Sequence, residues 1–372
     1  MRPQAYLEPM QIRGRIARAQ PLGLPVVNMG FNELPYGPSP AVGEALHNAA
    51  GRVQSYGSPH CDGLRDAIGA SNGIDPEHVI CGNGSEELLD VIARVFARPG
   101  DEILITEYGY IQFALTANRV GADLVKAPEQ DFTTDVDALL SAVTARTRVL
   151  FLANPNNPTG TLVDTRELAR LADALPPQVL LVLDLAYGEF ATPEYCAGVH
   201  ALVQGRENVV VTRTFSKAYG LAGARVGWCH GPDWMIPLLY AARGMGTVNA
   251  LAQAAAIAAL GDMATVQTRV SEIKAERARM SATMQALGCS VLPSHTNFLL
   301  LSPPDQNPDT TEAIVEHVFD TAGIIVNRTR EAGLEHFLRV SVSLPAHNDL
   351  FLGALEAFLA GASPGTATAT GS

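Results

Sequence analysis

Thr214-Phe215-Ser216-Lys217-Ala218-Tyr219-Gly220-Leu221-Ala222-Gly223-Ala224-Arg225 places a lysine after two hydroxyls and before a run of small residues. Most lysines are solvated surface groups. This one is embedded among Ala, Gly, Phe and Leu, where loss of water makes the neutral, nucleophilic amine easier to reach. Schiff-base chemistry demands such an amine. The hydroxyls of Thr214 and Ser216, with Arg225 eight places beyond the lysine, offer ligands for a phosphate.

Three further motifs carry groups suited to one ligand. Cys81-Gly82-Asn83-Gly84-Ser85-Glu86-Glu87 reads as a strand, a glycine turn and a helix start, whose amides can bind a phosphate. A plain connector with Ser85 as N-cap is the competing reading. The third glycine of a dinucleotide fingerprint is absent. In Asn154-Pro155-Asn156-Asn157-Pro158-Thr159-Gly160 the prolines make a rigid turn, and two adjacent asparagines exceed what a turn needs. One amide aimed at a ligand oxygen would account for them. In Asp184-Leu185-Ala186-Tyr187 a carboxylate ends an apolar strand, where an unpaired charge is costly and calls for a cation. Tyr187-Gly188-Glu189 does not open a convincing helix for Asp184 to cap.

The elements that must position these groups are legible as an alternation. Apolar runs at His78–Cys81, Glu102–Thr106, Ala122–Lys126, Arg148–Leu152, Val179–Asp184 and Asn208–Thr212 predict strands covered on both faces. Helical periods fill Ser85–Ala97, Ile111–Val120, Val136–Val143 and Thr165–Ala174. The expected fold is α/β: a large three-layer α/β/α domain with a mostly parallel sheet, binding ligands at the strands' carboxyl ends. Beyond Asn249 the pattern changes to helices at Ala250–Leu260 and Ala264–Leu287, then alternating segments at Thr296–Leu301 and His336–Ser343. A smaller α+β domain is expected there. The implied division is an arm over 1–40, a large domain over 41–249, a small domain over 250–361 and a disordered, low-complexity tail over 362–372.

Composition narrows the function. The 372 residues are 47% hydrophobic and carry a net charge of −12 with no basic block, which argues against nucleic-acid and anionic-membrane surfaces. Five scattered cysteines show no Cys-x-x-Cys spacing and nine histidines show no His-x-x-x-His pair, so neither a disulfide framework nor a metal site is expected. No apolar stretch is long enough for a signal peptide or a membrane span, and a cytoplasmic enzyme is expected.

Taken together, these motifs resemble the fold-type-I pyridoxal-phosphate aminotransferases, and among them the histidinol-phosphate aminotransferase group. The resemblance runs from about Gly30 to Leu344. It includes Asn32-Glu33-Leu34-Pro35-Tyr36-Gly37-Pro38-Ser39-Pro40 and the Thr-x-Ser-Lys-Ala-x-Gly-x-x-Gly pattern over 214–223. It implies an aspartate-aminotransferase-like fold with pyridoxal 5'-phosphate as cofactor, an amino donor and a 2-oxo acid as substrates, and a homodimer. By the same resemblance, Lys217 holds the cofactor and shuttles the Cα proton, and Asp184 pairs with the pyridine nitrogen. Asn157 and Tyr187 hydrogen-bond its phenolic oxygen, and Tyr108, with Tyr110 a near competitor, stacks on the ring. Gly84, Ser85, Thr214, Ser216 and Arg225 hold the phosphate, joined by Tyr56 from across the dimer interface. Arg339 clamps the substrate carboxylate, Asn32 approaches it, and Arg328 or Arg330 stands where the group reads a substrate phosphate. The chain departs from the group at Arg243-Gly244-Met245-Gly246-Thr247-Val248-Asn249 and over Tyr6–Pro25, which leaves substrate choice open. Two other readings stand beside transamination. One is decarboxylation of a phosphorylated amino acid on the same cofactor. The other is a non-catalytic regulatory module, which would need a helix-turn-helix domain for which the segment before Pro40 is expected to be too short.

Overall fold

In a computed structural model of the chain, residues 23–329 and 331–362 are described. The apolar runs form strands β1 (Val79–Gly82), β2 (Glu102–Thr106), β3 (Asp123–Ala127), β4 (Thr147–Ala153), β5 (Leu180–Asp184) and β6 (Val209–Thr214). A seventh, β7 (Gly227–His230), completes a sheet of order β1-β7-β6-β5-β4-β2-β3. The neighbours among β2 to β6 run parallel, whereas β7 lies antiparallel between β1 and β6. Sequence patterning missed β7, since four residues next to a glycine-rich loop show no periodicity of their own. It also predicted the third strand as covered on both faces. β3 is instead an edge strand whose polar Asp123 and Lys126 are exposed.

Alternate residues of each inner strand feed two separate cores, as a sheet covered on both faces requires. Ile103, Ile105, Phe151, Val182 and Val210 pack with Leu88 and Ile92 of α3 (Ser85–Phe96), Phe113 of α4 (Ile111–Val120) and Leu239 of α8 (Ile236–Ala242). Leu104, Leu150, Leu152, Leu183 and Val211 face the other way. Their partners are Leu139 of α5 (Val136–Ala142), Leu171 of α6 (Thr165–Ala174) and Val199 of α7 (Pro193–Ala201). Helix ends follow local rules: Gly121 closes α4 in the left-handed region, and the Asp164 side chain caps α6.

The chain divides into two compact units. The first holds Glu33–Glu272 with Pro293–Asn297; the second holds residues 23–32, Ile273–Leu292 and 298–362. The cut falls inside α10 (Met263–Ala286) rather than at residue 249. The reason is that α9 (Ala250–Gly261) packs on α1 (Pro40–Ala50) and α2 (Asp62–Asn72), within the first unit. The second unit is α+β. An antiparallel sheet of order β8-β9-β11-β10 is built from β8 (Ser290–Val291), β9 (Phe298–Ser302), β10 (Asn327–Arg328) and β11 (Leu338–Ser341). Helices α11 (Pro308–Ala322) and α12 (Pro345–Ala362) accompany it, and Val27–Asn28 pairs in parallel with Ile324–Ile325. The tail predicted over 362–372, beyond the last residue of α12, lies outside the described residues, as do residues 1–22 of the arm and Arg330. Among the described residues no helix is long and apolar enough to cross a membrane.

Candidate active site

Parallel register brings the chemistry-bearing motifs to one edge of the first unit's sheet. Ala153 of β4 is level with Asp184 of β5, and Asp184 is level with Thr212 of β6. On β7, Gly227 is level with both Thr214 and Gly82. Four segments that are remote in sequence therefore open from one edge.

Asp184 is 3% exposed and accepts a hydrogen bond from Thr212 Oγ1 at 2.9 Å. Burial pushes its carboxyl up to about 6; Thr212 and the Ala186 amide oppose that rise, Glu86 adds to it, and Lys217 draws it back. A buried anion whose compensation is incomplete favours a cation placed beside it. Lys217 Nζ lies 5.6 Å from the ring centre of the buried Tyr187. The lysine itself is half-buried, not enclosed as its apolar neighbours suggested.

The glycine turn makes a seat bare of side chains. A Cβ on Gly227 would come within 2.6 Å of the Gly84 carbonyl carbon, so the Gly84–Ser85 peptide crosses directly over the start of β7. Gly84, at φ +84°, is the N-cap of α3, and no side chain caps that helix. This corrects the competing reading of Ser85, which is the first helical residue. The Gly84 amide itself donates to Gly82 O at 2.8 Å, within the turn. Beside it, Arg225 Nη1 reaches Ser216 Oγ at 3.3 Å, and the Ser216 amide donates to Thr214 Oγ1 at 3.1 Å. Hydroxyls, a guanidinium and a helix N-terminus thus converge, a donor set that fits a phosphate. Glu86 Oε2 lies 3.4 Å from Arg225 Nη2, and its other oxygen accepts from Tyr110 Oη at 2.6 Å.

The structure separates residues that the sequence could not rank. Asn154 binds Val163 through both amide atoms, and Asn156 Nδ2 donates to Tyr108 O and Thr159 Oγ1. Both of these asparagines are buried; Asn157 is the half-buried one of the three. Tyr110 packs against the core cluster of β2, β4 and α3, whereas the half-buried Tyr108 lies 5.7 Å from Phe132, ring centre to ring centre. Tyr56 is fully exposed.

In the second unit, Arg339 Nη2 donates to Gly30 O at 2.9 Å, and its guanidinium lies 5.2 Å from the Phe298 ring centre. Ser341, two places on and hence on the same strand face, bonds Asn32: its Oγ accepts from the Asn32 amide at 2.9 Å and donates to Oδ1 at 3.2 Å. Asn32 and Arg339, remote in sequence, are therefore gathered at one place. Arg328 is not with them. Its Nη1 pairs with Glu312 of α11, and its Nη2 reaches Pro308 O at 3.3 Å.

The family described as aminotransferase class I and II matches residues 25–354. The chain belongs to this family. A histidinol-phosphate aminotransferase of Dinoroseobacter shibae is 44% identical over 317 residues, 85% of this chain and 86% of that protein. One from Granulibacter bethesdensis is 40% identical over 336 residues, 90% of each chain. Among solved structures, histidinol-phosphate aminotransferase from Sinorhizobium meliloti in complex with pyridoxal-5'-phosphate superposes with a TM-score of 0.86. It is 31% identical, over 90% of this chain and 91% of that one.

For a member of the aminotransferase family, the groups that sequence reasoning passed over are Thr212, Glu86 and the Glu189–Arg213 pair described below. Thr212 was the findable one: it is a polar residue near the end of an apolar strand, one strand over from Asp184. Arg328 gives a prediction of its own. With its charge paired to Glu312, Arg328→Ala is expected to lower stability by about 1–2 kcal/mol, since both partners are partly exposed. Turnover per folded enzyme should then keep the same ratio between a phosphorylated and an unphosphorylated amino donor. A loss confined to the phosphorylated donor would assign Arg328 to substrate recognition.

Proposed function

We propose that this chain is a pyridoxal-phosphate-dependent aminotransferase acting on histidinol phosphate with 2-oxoglutarate as acceptor, and that it works as a cytoplasmic homodimer. Asp184 carries the reading: a buried carboxyl raised to about 6 at the mouth of a parallel sheet is poised for a cationic ring nitrogen. When bound, pyridoxal phosphate supplies an aldehyde carbon that carries the amino group and a ring that withdraws electrons from the substrate's Cα. Asp184 keeps the ring nitrogen protonated. Ser216, Arg225, Thr214 and the α3 start with Gly84 and Ser85 hold the phosphate, while Tyr108, Asn157 and Tyr187 set the ring's position. With the cofactor bound, the Lys217 amine would carry the proton between the substrate's Cα and the cofactor's C4′ carbon. Arg339, with Asn32 beside it, takes the substrate carboxylate, and its planar fork orients the substrate as well as binding it. Tyr56, fully exposed in one chain, is assigned to the partner's phosphate.

The discriminating experiment is a half-reaction screen that follows bleaching of the visible band across a panel of amino donors. Histidinol phosphate is expected to react fastest, and the band should return on adding 2-oxoglutarate. Release of carbon dioxide from a phosphorylated amino acid, with no need for an oxo acid, would establish decarboxylation instead.

A further inference from the structure

The turn after β5 carries Tyr187, and the loop after β6 carries Lys217. Two cross-links hold the turn to β6. One is the Leu185 amide on Thr212 O at 2.9 Å. The other is Glu189, whose Oε1 accepts from Arg213 Nη2. Tyr187 lies between these two ties. Glu189 and Arg213 are 11% and 5% exposed, and each leaves a buried polar atom unmatched: Glu189 Oε2 and Arg213 Nε. A buried pair of this kind is a poor source of stability, because desolvation offsets much of its attraction. Its surroundings are built to keep it in place. Arg213 Nη1 lies 3.0 Å from His200 Nε2, its guanidinium stands 5.5 Å from the Trp228 ring centre, and His200 Nδ1 meets His230 Nδ1 at 3.2 Å. A guanidinium only donates, so His200 accepts at Nε2 and presents its proton to His230. Burial lowers the proton affinity of both imidazoles, so they stay neutral and do not compete with the pair. Cys196 packs against the turn so closely that a Cβ on Gly188 would lie 3.0 Å from its sulfur. On the lysine side, Tyr219 is raised by burial and then by the Glu189 carboxylate facing it.

We infer that the Glu189–Arg213 ion pair is a positioning device that fixes Tyr187 relative to Lys217 and thereby sets the proton affinity of the lysine–cofactor nitrogen. The inference rests on the proposed role of Tyr187 as donor to the cofactor's phenolic oxygen. That bond draws electron density from the oxygen and loosens the proton held on the neighbouring nitrogen. Releasing the tie lets the phenol drift, and the proton is then held more tightly.

The test is a pH titration of the visible band of the holoenzyme, with steady-state kinetics alongside. Glu189→Gln is expected to raise the midpoint by about one pH unit. It should also lower kcat about tenfold with KM changed less than threefold. Glu189→Asp, which keeps the charge, should recover part of both. Because Glu189→Gln strands a buried guanidinium, a second variant guards against simple unfolding. The double replacement Glu189→Met with Arg213→Leu removes both charges and is expected to melt like wild type, yet to show the same raised midpoint. A folded double variant with wild-type midpoint and kcat would overturn the inference. Borohydride reduction of wild type, followed by mapping of the label, tests the underlying reading separately: label away from Lys217 refutes that reading whatever the midpoint does.

Discussion

Replacing Lys217 with alanine is expected to abolish borohydride-dependent attachment of pyridoxal phosphate and to lower turnover by about 10⁴-fold or more, since nucleophile and proton carrier vanish together. The fold should survive. The loop around the lysine is closed by main-chain bonds, Gly220 N to Lys217 O at 2.8 Å and Leu221 N to Phe215 O at 3.0 Å, that do not involve its side chain. The chain has only two other lysines, Lys126 and Lys274, so peptide mapping of the reduced protein gives a clean answer. A variant that still forms the adduct, on whichever lysine, would refute the assignment.

Asp184→Asn is expected to separate stability from catalysis. Raising a carboxyl from 3.8 to about 6 means that the fold disfavours its ionised form. The penalty grows between those pH values, reaches about 3 kcal/mol at most above pH 6, and is relieved as the pH falls through 6. The apoprotein variant should therefore be at least as stable as wild type at pH 7.5. Its catalysis should fall by about 10²–10⁴-fold, because a ring nitrogen without its carboxylate partner is a poor electron sink. Cofactor affinity of the wild-type apoprotein should weaken below pH about 6, as the carboxylate is protonated, and the variant should show no such dependence. Chemical melts and cofactor titrations across this range check both claims. Near-normal turnover in the variant would remove Asp184 from the ring nitrogen.

Some of this was open to reading in one dimension. The bounds of Ile111–Val120 and Thr165–Ala174 came directly from periodicity and end signals, because a helix is specified by neighbours three and four apart. Asp184 and the Lys217 motif stood out as polar or charged groups in apolar surroundings, a conflict that local patterning exposes. One competing reading failed for an identifiable reason. Ser85 looked like a cap because serine favours that position, but the close approach of Gly84 to Gly227 puts glycine there instead. Arg328 pairs with Glu312 of α11, a partner that its own polar stretch does not reveal.

By itself the sequence determined an alternation of buried strands and amphipathic helices, and which strands end in groups able to do chemistry. These are consequences of local periodicity and of the cost of burying charge. Only the tertiary structure decided which of those groups meet. Thr212 rather than a helix end steadies Asp184, Asn154 ties back to Val163 while Asn156 reaches Thr159 and Tyr108, and Glu189 finds Arg213 on the neighbouring strand. Such pairings depend on strand order and register, which are set by the packing of both faces of the sheet at once and leave no mark in any single stretch of chain.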